Sequence, residues 1–195
     1  SVMLRSYGGE IDAAEFIAPV INRLEDELPA EEAAKALGLT ADKVTTAHHG
    51  PRILSTGVRF LYVELTDLEA LAASEAAPGP VTRISATRGL DGVFAYVRTG
   101  NGEVDFRARM DAPVHGVMEA PATGSANAGL ANLLASLSDE NDATLTWTVA
   151  QGVEMGRPSL LHLTAERRGG EVVQVRVAGG AVVVCRGRID VPELD

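Results

Sequence analysis

Residues 119–127 read Glu-Ala-Pro-Ala-Thr-Gly-Ser-Ala-Asn and open an apolar stretch, Ala126 to Leu137, that has the period of a buried helix. A Thr-Gly-Ser turn that feeds straight into a helix leaves the first backbone N–H groups without intrahelical acceptors, aimed at whatever lies in front. Gly124 allows close approach, and the hydroxyls of Thr123 and Ser125 stand beside it. Such a turn suits a carboxylate or a phosphate better than a neutral ring. The plainer use of Thr123 or Ser125 is as a helix N-cap.

Other chemistry finds less support. His48 and His49 are adjacent and would face opposite sides of a strand, while His115 and His162 stand alone, so a satisfied or exposed histidine fits each better than a metal ligand. No metal site is therefore expected. The glycine-rich pieces Gly100-Asn101-Gly102 and Gly169-Gly170 suit hairpins and do not precede helices, and no P-loop or dinucleotide fingerprint is present.

Arg109-Met110-Asp111-Ala112-Pro113 followed by Gly116-Val117-Met118-Glu119-Ala120-Pro121-Ala122-Thr123-Gly124-Ser125-Ala126 resembles a segment of the phenazine-biosynthesis isomerase family, the PhzF-like proteins. Gln151-Gly152-Val153-Glu154-Met155-Gly156-Arg157-Pro158-Ser159, the run Val175 to Val182 and the turn Ser55-Thr56-Gly57 are similar to three further elements of that family. These blocks cover the portion after roughly the first third. The resemblance implies cofactor-independent acid–base isomerisation of a small anionic carboxylate in small-molecule biosynthesis. Thr123, Gly124 and Ser125, with Ser55, Thr56 and Gly57, would bind the substrate.

The same resemblance implies two departures. Family members are built as two similar halves around a cleft, and the half with the catalytic glutamate has no counterpart in this sequence. The acidic residue usual before Pro-Ala-Thr-Gly-Ser is here Ala120. Glu119 and His115 are the nearest titratable replacements, and burial could tune either of them. The plainer use of Glu119 is as a partner of the helix dipole just ahead of the helix. A catalytically inactive ligand-binding or regulatory relic is the alternative reading.

The chain has 195 residues, 46% hydrophobic and 23% charged, enough for a proper core. Seventeen basic against 27 acidic side chains give a net charge of −10, which repels nucleic acid and anionic lipid. Cys185 is the only cysteine and reads as a small buried hydrophobe. No apolar run approaches the roughly 20 residues of a membrane span, and no basic-then-apolar leader is seen, so a reducing cytoplasm fits best. The first residue is Ser1, as in a cleaved chain or one that keeps the remnant of a tag.

The elements that must carry the turns are then a surface helix from Pro29 to Gly38, a strand from Arg59 to Leu65 and a short helix from Asp67. Strands follow at Val81 to Ala86, Val93 to Thr99 and Glu103 to Arg109, the last two forming a tight hairpin across Gly100-Asn101-Gly102. The helix after Ser125 precedes strands at Thr144 to Ala150, Ser159 to Glu166, Glu171 to Val177 and Ala181 to Ile189. This is an α+β pattern. The resemblance sharpens it to a diaminopimelate-epimerase-like barrel of mostly antiparallel strands around a central helix. Residues 25–178 would form the family's C-terminal domain, with 1–24 and 179–195 belonging to the other half. Exposed edges there would call for a homodimer or a complementary N-terminal chain.

Overall fold

The computed structural model describes residues 2–7, 10–18, 26–100 and 102–188. Its strands are β1 (Val2–Tyr7), β2 (Glu10–Ile17), β3 (Asp26–Glu27), β4 (Arg52–Ser55), β5 (Arg59–Glu64), β6 (Gly92–Arg98), β7 (Phe106–Asp111), β8 (Ala143–Gln151), β9 (Ser159–Arg168) and β10 (Glu171–Gly180). The helices are α1 (Ala30–Ala36), α2 (Leu68–Ala73), α3 (Pro78–Arg88) and α4 (Gly124–Ser136). All ten strands join one sheet in the order β1-β2-β10-β9-β8-β7-β6-β5-β4-β3.

Only β5 with β6 and β7 with β8 run parallel. A parallel pair needs a crossover, and each crossover here carries helix: α2 and α3 in the first, α4 in the second. Alternation along the strands then divides the core between the two faces. Leu54, Phe60, Tyr62, Phe94, Tyr96, Phe106 and Ala108 pack with α4, whereas Ile53, Leu61, Val63, Val93, Ala95 and Val97 pack with α1, α2 and α3. Helix α4 is buried from Ala126 through Ala135 and touches β5, β9 and β10. Gly129 permits this docking, because a Cβ there would fall 1.9 Å from the Tyr62 hydroxyl oxygen.

Several expectations need correction. Val81 to Ala86 is helical: Pro78 opens α3, Gly89 closes it in the left-handed conformation, and Val81 and Ile84 share its buried face. The β-branched alternation in that stretch misleads because its apolar spacing also fits three residues per turn. Strand β7 begins at Phe106, and a longer loop closed by Thr99 N–H to Asp105 O at 3.0 Å replaces the tight hairpin, whose Asn101 lies outside the described residues. Residues 181–188 form no strand; after Ala181 N–H donates to Asp12 O at 3.1 Å the segment leaves the sheet, and Cys185 is exposed. Ile189 lies outside the described residues.

The sheet does not close into a barrel. Closure would require β1 to meet β3, which is only two residues long. Nor is β2 an orphan, since it pairs with β10 from Arg176↔Ile17 to Gly180↔Ala13 and with β1 on its other side. The exposed Val2, Met3 and Leu4 lie on the edge strand β1. No helix among the described residues is long and apolar enough to cross a membrane.

Candidate active site at the N-terminus of the buried helix

The first intrahelical bond of α4 runs from Asn127 N–H to Thr123 O at 3.0 Å. The N–H groups of Gly124, Ser125 and Ala126 come before it and find no acceptor among the described residues. Thr123 stands at the N-cap position but makes no side-chain cap; its Oγ1 accepts instead from Gln151 Nε2 at 3.1 Å. The free donors are thus kept free.

Gln151 organises this end of the helix. Its Oε1 accepts from Asn127 Nδ2 at 2.8 Å and from Thr123 N–H at 3.3 Å, while its Nε2 also donates to Ala120 O at 2.8 Å. Both Gln151 and Asn127 are fully buried. Every bond in this network is between neutral groups, so its geometry is set without placing a charge in front of the helix.

The Ser55-Thr56-Gly57 turn, 69 residues away from its partner in sequence, arrives at the same place. Thr56 Oγ1 donates to Ser125 O at 2.9 Å, and Ser55 Oγ accepts from Gly57 N–H at 3.1 Å. Gly57 has φ of 105°, a conformation that side chains resist. Tyr62, one strand further on, donates to Ala126 O at 2.9 Å and fixes the first turn from below. Phe16 of β2 completes the wall, since a Cβ on Gly124 would come within 2.5 Å of its ring. All six expected binding residues therefore meet at one end of α4.

The expected proton carriers lie elsewhere. Both oxygens of Glu119 are taken by Arg109, Oε1 by Nε at 3.2 Å and Oε2 by Nη2 at 2.8 Å, and Arg109 Nη1 is anchored on the carbonyls of Leu71, Ala72 and Ser74. His115 is exposed and pairs with Asp91 at 3.0 Å. Neither hydrogen-bonds to the two turns. Ala120 packs against the core on the α4 side and offers no titratable group. On the opposite face Asp111 lines a cavity of about 300 Å³ with Arg109, Glu119 and Met118. Burial pushes its pKa up to about 6; one oxygen accepts from Ala76 N–H at 3.2 Å and the other has no partner.

Sequence reasoning found the two turns because each is contiguous. It missed Gln151, Asn127, Tyr62 and Phe16 as parts of the site, although a polar Asn127 inside an apolar helix was a signal available in the chain.

Comparison with known proteins gives the family. Residues 5–187 match the model of the phenazine biosynthesis-like protein family, so the likeness reaches through β1 and β2 as well as the later motifs. An uncharacterised isomerase of Mesorhizobium japonicum is 32% identical over 90% of this chain and 60% of its own length. Trans-2,3-dihydro-3-hydroxyanthranilate isomerase of Pseudomonas fluorescens is 32% identical over 81% of this chain and 52% of its own length. A Bacillus anthracis phenazine biosynthesis protein of the PhzF family superposes with a TM-score of 0.75 at 19% identity, covering 93% of this chain and 62% of that protein. The chain thus spans between half and two-thirds of the length of these relatives. By the extent of that match, the chain belongs to the phenazine biosynthesis-like (PhzC-PhzF) protein family.

Proposed function

We infer that this chain supplies the anion-binding half of a PhzF-like isomerase acting in small-molecule biosynthesis. Its substrate is a small carboxylic acid of the chemical type of trans-2,3-dihydro-3-hydroxyanthranilate, on which a relative acts. The carboxylate lies against the N–H groups of Gly124, Ser125 and Ala126, flanked by Thr123 and by the Ser55–Gly57 turn. No cofactor takes part: a proton moves between ligand carbons through a side-chain acid or base. The observation that carries this reading is the Thr56 to Ser125 bond, which joins two separate turns around donors that have no acceptor.

With Glu119 tied to Arg109 and Ala120 at the usual acidic position, the proton-carrying carboxylate comes from a complementary polypeptide equivalent to the rest of the relatives' length. That polypeptide packs on β1 and β2, where Val2, Met3 and Leu4 are exposed, and a second copy of this chain is the other occupant to be distinguished. Light scattering separates them: twice the chain's mass indicates the homodimer. A cytoplasmic setting suits this chemistry.

The test is incubation of the protein, purified with whatever polypeptide accompanies it, with trans-2,3-dihydro-3-hydroxyanthranilate in deuterium oxide. Protein-dependent deuterium at a ligand carbon, lost in Ser125→Ala and Thr56→Val together, supports the isomerase. Saturable binding without incorporation supports the second reading, a ligand-binding relic, which Ala120 and the occupied Glu119 favour; recovery of exchange in Ala120→Asp would exclude an irreparably inert protein.

A further inference from the structure

The other end of α4 abuts a second polar cluster. Glu64, at the end of β5, is 3% exposed and collects side chains from two segments, β6 and the loop at residues 48–49. Arg98 Nε donates to its Oε1 at 3.0 Å, and His48 Nδ1 lies 2.8 Å from the same oxygen. The Tyr96 hydroxyl is 3.4 Å from Oε2, with the buried His49 stacked on its ring. His49 Nδ1 faces the Gly50 carbonyl at 2.6 Å, so Nδ1 carries the hydrogen and, in the neutral ring that burial favours, Nε2 accepts from Tyr96. The charge of Glu64 is therefore met by Arg98, with the His48 ring beside it.

One buried carboxylate holds both of these side chains by their inner nitrogens. Their outer atoms, the Arg98 Nη groups and His48 Nε2, have no acceptor among the described residues, and the two side chains are 39% and 48% exposed. With Leu134, Leu137, Ser138 and Trp147 they line a cavity of about 280 Å³. A neighbouring cavity of similar size shares Arg98 and Trp147 and runs on to Asp105 and Phe106. The carbonyl end of α4 would repel an anion, but the buried Arg167 donates to Ala135 O and offsets it.

We propose that this cavity binds a small monocarboxylate with an aromatic or apolar body. The acid group meets Arg98 Nη, and the body lies against Trp147, Leu134 and Leu137. Asp105 at the far end of the adjoining cavity sets the polarity and selects against a second carboxylate. This site is separate from the one at the N-terminus of α4 and stands without it.

Trp147 is the chain's only tryptophan, so its emission reports the cavity directly. Phenylacetate should change that emission saturably, and phenylacetamide, of the same shape but uncharged, should bind at least ~10-fold more weakly. Arg98→Gln should weaken phenylacetate by about tenfold and leave phenylacetamide unchanged. Ser138→Glu, which adds a like charge at the rim without touching Glu64, should do the same and serves where Arg98→Gln fails to fold. Ser125→Ala should leave the response intact. Equal affinity for acid and amide, wild-type phenylacetate binding in Ser138→Glu, or loss of the signal in Ser125→Ala would each overturn the assignment.

Discussion

The two ends of helix α4 present hydrogen-bond donors in opposite ways. At the N-terminal end the donors are backbone N–H groups of Gly124, Ser125 and Ala126, and the supports are neutral: Gln151, Asn127, Thr56 and Tyr62. At the C-terminal end the donor is a side-chain cation, Arg98, with His48 beside it, and the support is one buried charge, Glu64. A neutral network can leave its donors exposed without repelling an anion. A charged one must first neutralise its own carboxylate, and only the outer nitrogens of its cation remain for a ligand. Stability at the first end should therefore be indifferent to pH, and at the second it should not.

Removing the hub of the charged end should have the largest effect. Glu64→Ala removes the buried acceptor shared by Arg98 and His48 beside Tyr96, and since hydrogen bonds to a charged group are worth roughly 1.5–3 kcal/mol each, urea unfolding should show a loss of about 4 kcal/mol. A loss under about 1 kcal/mol would mean that the cluster is not held together by this carboxylate.

Asp111 sharpens the contrast, being a buried carboxylate without Glu64's partners. Its folded pKa is raised by burial from 3.8 to about 6, so the stability it permits is complete below the unfolded value and is lost as pH rises through about 6. Asp111→Asn should gain about 3 kcal/mol at alkaline pH and nothing near pH 3.5, measured by thermal unfolding across that range. A pH-independent effect would contradict the buried charge.

At the neutral end, Gln151→Ala strands the Thr123 N–H and the Ala120 carbonyl and leaves Asn127 Nδ2 with Thr123 O alone. The expected cost is about 2 kcal/mol, the same across the pH range where histidine titrates. The smallest effect belongs to His49. Burial lowers its folded pKa below the ordinary 6.5, so it contributes stability that is lost as pH falls below that value. His49→Phe should flatten this acid limb in denaturant titrations; an unchanged limb would show that another group sets it.

The same comparison explains what could be read from the chain. Thr123-Gly124-Ser125 is contiguous with the helix it opens, so its donors follow from local geometry, and Ser55-Thr56-Gly57 is a complete turn. Gln151 was visible only as part of a motif, since its partners lie 24 and more residues away. The charged end was illegible. It depends on the parallel register that sets Glu64 opposite Tyr96, and no local pattern specifies a register between strands separated by two helices. Helix α3 was misread because Val81, Thr82 and Ile84 favour strand, while the flanking Pro78, Pro80 and Gly89 and the packing of Val81 and Ile84 decide for helix.

The claim on which the rest depends is that the free N–H groups at the start of α4 receive a carboxylate. Titration of the isotope-labelled protein with benzoate, followed through its backbone amide resonances, tests this directly. The amides of Gly124, Ser125 and Ala126 should shift downfield together along one saturation curve, accompanied by Gly57, with benzamide leaving them in place. Amides that stay fixed in benzoate, or that move equally with benzamide, would contradict it.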